Sequence, residues 1–244
     1  MISTILFDLD GTLLPMDQEL FIKTYFQTLA ARFAPLGYDP RKLIDSVWKG
    51  TQAMVKNTSP DTNETVFWNT FADLFGEQIR GDIPVFEDFY RKEFQQAQAV
   101  CGCNPKAKEA VHFARFLGFR VILATNPLFP SIATESRIRW AGLEPEDFEF
   151  YTTYENSRRC KPNPDYFREI LERANLRPEE CLMVGNDTSE DLAATALGIR
   201  VFFLTDCLIN RDSLDLAQYP HGGFDELMDY LAGLRSASEH PSTR

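Results

Sequence analysis

The chain has 244 residues, long for one compact domain and short for two full-sized ones, so one core carrying an insertion is expected. Its 44% hydrophobic, 13% aromatic and 25% charged residues exclude a disordered or collagen-like chain. Lys plus Arg number 25 against 36 Asp plus Glu, and the formal net charge of -11 repels DNA and RNA, so no nucleic-acid partner is expected.

Residues Ile2 to Phe7 are apolar and partly β-branched, and they run straight into Asp8-Leu9-Asp10-Gly11-Thr12. That pattern predicts a buried strand ending in a polar turn. No basic segment precedes it and acids begin at Asp8, unlike a signal peptide. No apolar run approaches the ~20 residues of a bilayer span, so no membrane association is expected.

From residue 16 to 100 there is no convincing strand, and aromatic residues recur at helical spacing. Phe21, Tyr25 and Leu29 form one such series, and Phe67, Phe71, Leu74 and Phe75 another. The segment is expected to be a separate bundle of about four helices, its aromatic stripes forming the bundle core. It leaves the main unit at Leu14-Pro15 and returns near Cys101–Pro105. The expected division is therefore 1–15 with 101–235 as an α/β core, 16–100 as a helical insertion, and 236–244 as a polar tail.

Beyond the insertion, short apolar runs at Phe119–Ala124, Cys181–Val184 and Val201–Leu204 predict strands, with a weaker one at Phe148–Tyr151. Helical stretches at Pro105–Leu117, Pro130–Trp140, Pro164–Ala174 and Thr188–Leu197 alternate with them. Such alternation implies an α/β fold, a doubly wound parallel sheet covered on both faces. The five cysteines, 101, 103, 160, 181 and 207, are an odd number in a chain that needs no staples. Reduced thiols and a cytoplasmic location follow. Cys101-Gly102-Cys103 lacks the second Cys/His pair that a zinc site requires.

Two acidic groups stand at predicted strand ends, where open α/β sheets bind ligands. Asp8 and Asp10 follow the first strand; Asp187 and Asp191, in Gly185-Asn186-Asp187-Thr188-Ser189-Glu190-Asp191, follow the run Cys181–Val184. An Asx-turn needs only one Asp, whereas Asp191 with Thr188 has the spacing of a helix capping box. If the strands are neighbours, Asp8, Asp10 and Asp187 converge. Like charges about 4 Å apart repel by several kcal/mol at an effective dielectric near 20. A hard divalent cation such as Mg²⁺ relieves that repulsion, and carboxylates with Mg²⁺ suit phosphoryl transfer to or from a small phosphorylated substrate.

With those residues in hand, the chain resembles the haloacid dehalogenase-like superfamily. Asp8-Leu9-Asp10-Gly11-Thr12 is similar to its first motif, and Thr125 of Val121-Ile122-Leu123-Ala124-Thr125-Asn126 to its second. Lys161 of Cys160-Lys161-Pro162-Asn163-Pro164 resembles the third-motif lysine, and Asp187 with Asp191 the acidic fourth motif. Asn186 departs from members that place Asp directly after the glycine. The resemblance implies strand order 5-4-1-2-3 and, because the extra length lies between the first two motifs, a helical cap of the C1 type acting as a hinged lid.

It also implies a mechanism. Asp8 attacks phosphorus and becomes an aspartyl-phosphate, Asp10 protonates the leaving oxygen and then activates water, and Thr125 with the Asn126 N–H holds phosphoryl oxygens. Lys161 balances the charge. Mg²⁺ is held by Asp8, Asp10, Asp187 and Asp191, the last of which could instead hold a metal-bound water or cap its helix. Asp10 disfavours ATPase and dehalogenase chemistry, since those members lack it. A phosphatase is the expected activity. A sugar phosphomutase is the principal alternative, and a phosphonatase or a non-catalytic binding protein fits less well. The substrate is not readable in the insertion, and a monomer or a homodimer is compatible with the sequence.

Overall fold

The computed structural model describes residues 1–239. Five strands form one sheet: β1 (Thr4–Phe7), β2 (Arg120–Leu123), β3 (Cys181–Gly185), β4 (Arg200–Leu204) and β5 (His221–Gly222), in the order β2-β1-β3-β4-β5. Every pairing is parallel. The weak strand expected at Phe148–Tyr151 contracts to a single parallel bridge between Tyr151 and Leu123. Counting that bridge as the third strand, the order is the expected 5-4-1-2-3, extended by β5, which the sequence reading missed. Two residues of His-Gly carry no apolar period to find.

The sheet is buried on both faces because β1 to β4 are apolar apart from their first residues or, in β3, throughout. Ile5, Phe7, Leu123 and Val184 face one core, closed by Ala110 and Val111 of helix α5 (Pro105–Phe116) and by Leu227 and Leu231 of the C-terminal helix, Phe224–Glu239. Leu6, Ile122, Met183 and Phe203 face the other, closed by Phe167, Ile170 and Leu171 of a helix at Pro164–Ala174. The period of two sends alternate residues of each strand to opposite cores.

Between β1 and α5 lie four α-helices: α1 (Gln18–Phe33), α2 (Pro40–Val55), α3 (Asn63–Phe75) and α4 (Ile83–Arg91). Three start on side-chain caps, the side chains of Asp17, Asp39 and Thr62 accepting from the N–H of Leu20, Lys42 and Thr65. Phe21, Tyr25, Leu29 and Phe33 are buried along one face of α1, and Phe33 stacks on Phe86 of α4 with centroids 4.1 Å apart. The aromatic stripes divide: Phe71 is wholly buried, whereas Phe67 is only partly so. The segment's ends meet where Met16 bridges Cys101 in antiparallel fashion and the Gly102 N–H donates to the Pro15 carbonyl at 2.7 Å.

Helix α6 (Ser131–Trp140) and α7 (Pro164–Ala174) match the expected stretches, and α8 is the C-terminal helix Phe224–Glu239. The helix expected over Thr188–Leu197 is shorter, a 3-10 segment at Leu192–Leu197, because residues 188–191 form turns that the site uses. The polar tail expected from 236 begins inside α8, and residues 240–244 lie outside the described part. All five cysteines are free thiols. Among the described residues no helix is long and apolar enough to cross a membrane.

Candidate active site

Register places the acids. Phe7 lies opposite Leu123 on one side and Val184 on the other, so β1, β2 and β3 end together. The ladder continues one residue further, through Asp8 N–H to the Val184 carbonyl (2.9 Å) and Ala124 N–H to the Phe7 carbonyl (2.6 Å). Asp8, Thr125 and Asn186-Asp187 therefore emerge at one edge. Gly11 turns the chain away with φ +83, and a Cβ there would strike the Asn186 amide. Thr12, which the sequence reading left without a role, donates to Asp8 Oδ2 at 3.1 Å or to Asn186 Oδ1 at 3.0 Å.

Lys161 lies beneath this edge, fully buried, with Nζ 2.8 Å from Asp8 Oδ1 and 2.7 Å from Asp191 Oδ1. Burial by itself would depress the ammonium's pKa, but Asp191 and Asp8 hold it well above the ordinary lysine value. Burial raises the pKa of Asp8 despite the opposing pull of Lys161. It pushes Asp191 up to about 6, again against Lys161. Three sequence-distant groups thus form one buried charge cluster.

The fourth-motif turn distributes its roles differently from the expected capping box. Asp187 Oδ1 accepts from the N–H of Ser189 (2.7 Å) and Glu190 (3.0 Å), so Asp187 caps the turn. Thr188 instead donates to Asn210 Oδ1 at 3.2 Å. Asp191 Oδ2 accepts from the Asp187 N–H at 3.0 Å while its Oδ1 holds Lys161. Gly185 admits that side chain, since a Cβ at 185 would overlap the Asp191 carboxylate. Glu190, also not singled out in the sequence, lines the same cavity, and burial lifts its pKa to about 7 against the attraction of Lys161.

Asp10 is paired with a residue that the sequence reading passed over. Its Oδ2 contacts the guanidinium of Arg137 on α6, which is wholly buried and lies 4.4 Å over the Phe129 ring. The signal was present: Arg137 shares a helix face with Ala133, Trp140 and Ala141, all buried, and a cation on an apolar face requires an anion. Asp10 Oδ1 is buried without a hydrogen-bond partner. Asn126 Oδ1 is the same, although its Nδ2 reaches the Lys161 carbonyl at 3.5 Å. The Thr125 carbonyl is held by the Thr152 hydroxyl (2.6 Å) and the Tyr166 hydroxyl (2.8 Å), which fixes the second-motif loop.

These residues line a cavity of about 240 Å³ whose floor is Asp8, Asp10, Thr125, Asp187 and Glu190, and whose wall toward α1 is Met16, Gln18, Phe21 and Ile22. Its charged lining is entirely acidic. The donor set fits a hard divalent cation: oxygen ligands in excess of nearby positive charge, with an orphaned Asp10 oxygen. Among the described residues no group of three or more acidic, His or Cys side chains is gathered closely enough to hold a metal ion by itself.

A model of the haloacid dehalogenase-like hydrolase family matches residues 2–198. The chain is similar to phosphoglycolate phosphatase of Vibrio vulnificus (strain YJ016), 27% identical over 205 residues and 84% of each chain. It is similar to pyrophosphatase PpaX of Bacillus cereus (strain G9842), 23% identical over 94% of this chain and 95% of that one. Its fold resembles the crystal structure of 2-haloacid dehalogenase from Pseudomonas syringae pv. Tomato DC3000, with TM-score 0.61 and 20% identity over 96% of this chain and all of that one.

Proposed function

This chain belongs to the haloacid dehalogenase-like hydrolase family, and from that premise we propose that it is a Mg²⁺-dependent phosphatase of a small phosphorylated metabolite, working through Asp8. The observation that carries the reading is the buried Lys161 between Asp8 and Asp191, 2.8 and 2.7 Å away. A merely structural strand end has no use for that arrangement. A nucleophile that must approach an anionic phosphoryl group does, because the lysine offsets the repulsion.

Asp8, Asp187 and the backbone carbonyl of Asp10 would hold the metal. When bound, Mg²⁺ neutralises phosphoryl oxygen charge and orients the phosphoryl group. Asp8 attacks phosphorus as the ester P–O bond breaks, giving an aspartyl-phosphate. Asp10 Oδ1 hands its proton to the departing oxygen, then takes one from the water that cleaves the acyl phosphate and returns Asp8 to its carboxylate. Thr125 and the Asn126 N–H bind phosphoryl oxygens. Asp191 is a positioning residue, since both its oxygens are engaged by Lys161 and the Asp187 N–H. The helical segment 16–100 would serve as the lid, hinged where Met16 meets Cys101.

EDTA is expected to abolish phosphate release and added Mg²⁺ to restore it. Asp187→Ala should raise the Mg²⁺ concentration for half-maximal rate at least about tenfold. Unchanged turnover in EDTA, or sugar-phosphate interconversion much faster than phosphate release, would overturn the phosphatase reading.

Arg137 acts through Asp10 as a positioning residue, fixing its carboxylate through Oδ2 at the cavity it lines. Arg137→Met is expected to lower kcat by roughly 10- to 100-fold with little change in KM, as for loss of a transition-state interaction. Arg137→Lys should recover part of kcat. Steady-state kinetics with both variants tests this; a rise in KM alone would place Arg137 in substrate binding instead.

A further inference from the structure

Beside the acidic cavity is a second one of opposite character. It lies between the helical segment and the loop after β2, with Tyr25, Trp48, Phe67 and Trp68 on one side and Phe129 and Tyr154 on the other. None of the residues lining it is charged. Its polar tips satisfy one another: the Tyr25 and Tyr90 hydroxyls are 3.0 Å apart, and Trp68 Nε1 lies 3.4 Å from the Tyr154 hydroxyl. The two cavities are neighbours, with Ile22, Leu128 and Phe129 in the walls of both. Phe129 also ties this wall to the acid site, since its ring carries the guanidinium of Arg137, which holds Asp10, 4.4 Å from its centroid.

A group seated in the apolar cavity would lie next to the cavity that Asp10 lines, within reach of an ester oxygen there. We infer that the leaving group of the natural substrate is an uncharged, compact apolar group, most simply one carrying a single aromatic ring, on a phosphate monoester. The size agrees. The cavity measures about 120 Å³, against ~150 Å³ for an apolar protein cavity that binds benzene. Charge agrees as well. A carboxylate or a second phosphate would be desolvated there with no lysine, arginine or histidine among the lining residues to pair with it. Phosphoglycolate and pyrophosphate, the compounds named for two relatives, are poor occupants on that ground. Trp48, one of the lining residues, is itself 43% exposed.

The inference rests on the phosphatase reading, and two measurements keep their failures apart. The first compares kcat/KM for benzyl phosphate, ethyl phosphate and phosphoglycolate in Mg²⁺; their leaving alcohols are of similar basicity, so the differences report on the site. Benzyl phosphate is expected to exceed both by at least about tenfold. Trp48→Ala should reduce the benzyl-to-ethyl ratio, and Thr51→Lys, which sets an ammonium in the cavity wall, should shift the benzyl-to-phosphoglycolate ratio at least about tenfold toward phosphoglycolate.

The second measurement needs no turnover. Benzylphosphonate is titrated against phosphonoacetate in Mg²⁺ with the fluorescence of Trp48 and Trp68 as the signal, and the benzyl compound is expected to bind at least about tenfold tighter. Equal or tighter binding of phosphonoacetate overturns the inference, whatever the enzyme hydrolyses. Tight benzylphosphonate binding with no phosphate released from any monoester instead overturns the phosphatase reading and leaves the apolar site standing.

Discussion

Asp8→Asn is expected to lower turnover at least about ten-thousand-fold while the protein stays folded. The amide cannot displace an alkoxide from phosphorus, and Asp191 and Asp10 are already engaged: Asp191 is bound to Lys161 and the Asp187 N–H, and Asp10 Oδ2 contacts Arg137. The fold should survive because Lys161 retains Asp191 at 2.7 Å and the Thr12 hydroxyl can still donate to the residue 8 side-chain oxygen. Loss of one ion pair is also offset, since the buried carboxylate costs desolvation that the amide avoids. Rapid acid quenching of the wild-type enzyme with labelled substrate should yield a phosphopeptide containing Asp8, and Asp8→Asn should give none. Retained turnover in the variant, or label on another residue, would place the nucleophile elsewhere.

Lys161→Met is expected to fail in both activity and stability. It leaves Asp8 and Asp191, both buried, as adjacent acids without their common cation. Removing one partner of a buried ion pair costs about 3–5 kcal/mol. Turnover should fall at least about a thousand-fold, because nothing then offsets repulsion between Asp8 and the incoming phosphoryl group. The stability deficit should depend on pH. Burial already sets Asp191 at about 6 in the folded protein, above its ordinary 3.8, so the folded state binds that proton more tightly than the unfolded chain does. Without the lysine that preference increases. The deficit is therefore greatest at neutral pH and shrinks as pH falls toward 4 and the acids take up protons. Urea unfolding of wild type and variant at pH 7 and pH 5, in EDTA, measures it. An equal deficit at both values would mean that packing around the lysine stem, and not charge, is what the substitution removes.

What the sequence determined by itself was what is written in short stretches of chain. Ile2–Phe7 running into Asp8-Leu9-Asp10-Gly11-Thr12 carries strand, turn and acids in one continuous segment, and the runs around Thr125, Lys161 and Asp187 carry the other three motifs. Four such local signatures in order are enough for the fold, because parallel strands buried on both faces must bring their ends to one edge. Tertiary structure decided the rest. Arg137 is an ordinary helical arginine until α6 packs against the loop carrying Asp10. Asp187, and not the Thr188–Asp191 pair, caps the turn because its carboxylate meets the N–H groups that the turn presents, while Lys161, 30 residues away, holds Asp191. The apolar cavity is least legible of all. Tyr25 and Phe67 sit in aromatic series that read as bundle core, and only the packing of four helices against one loop decides which rings meet a neighbour and which face open space.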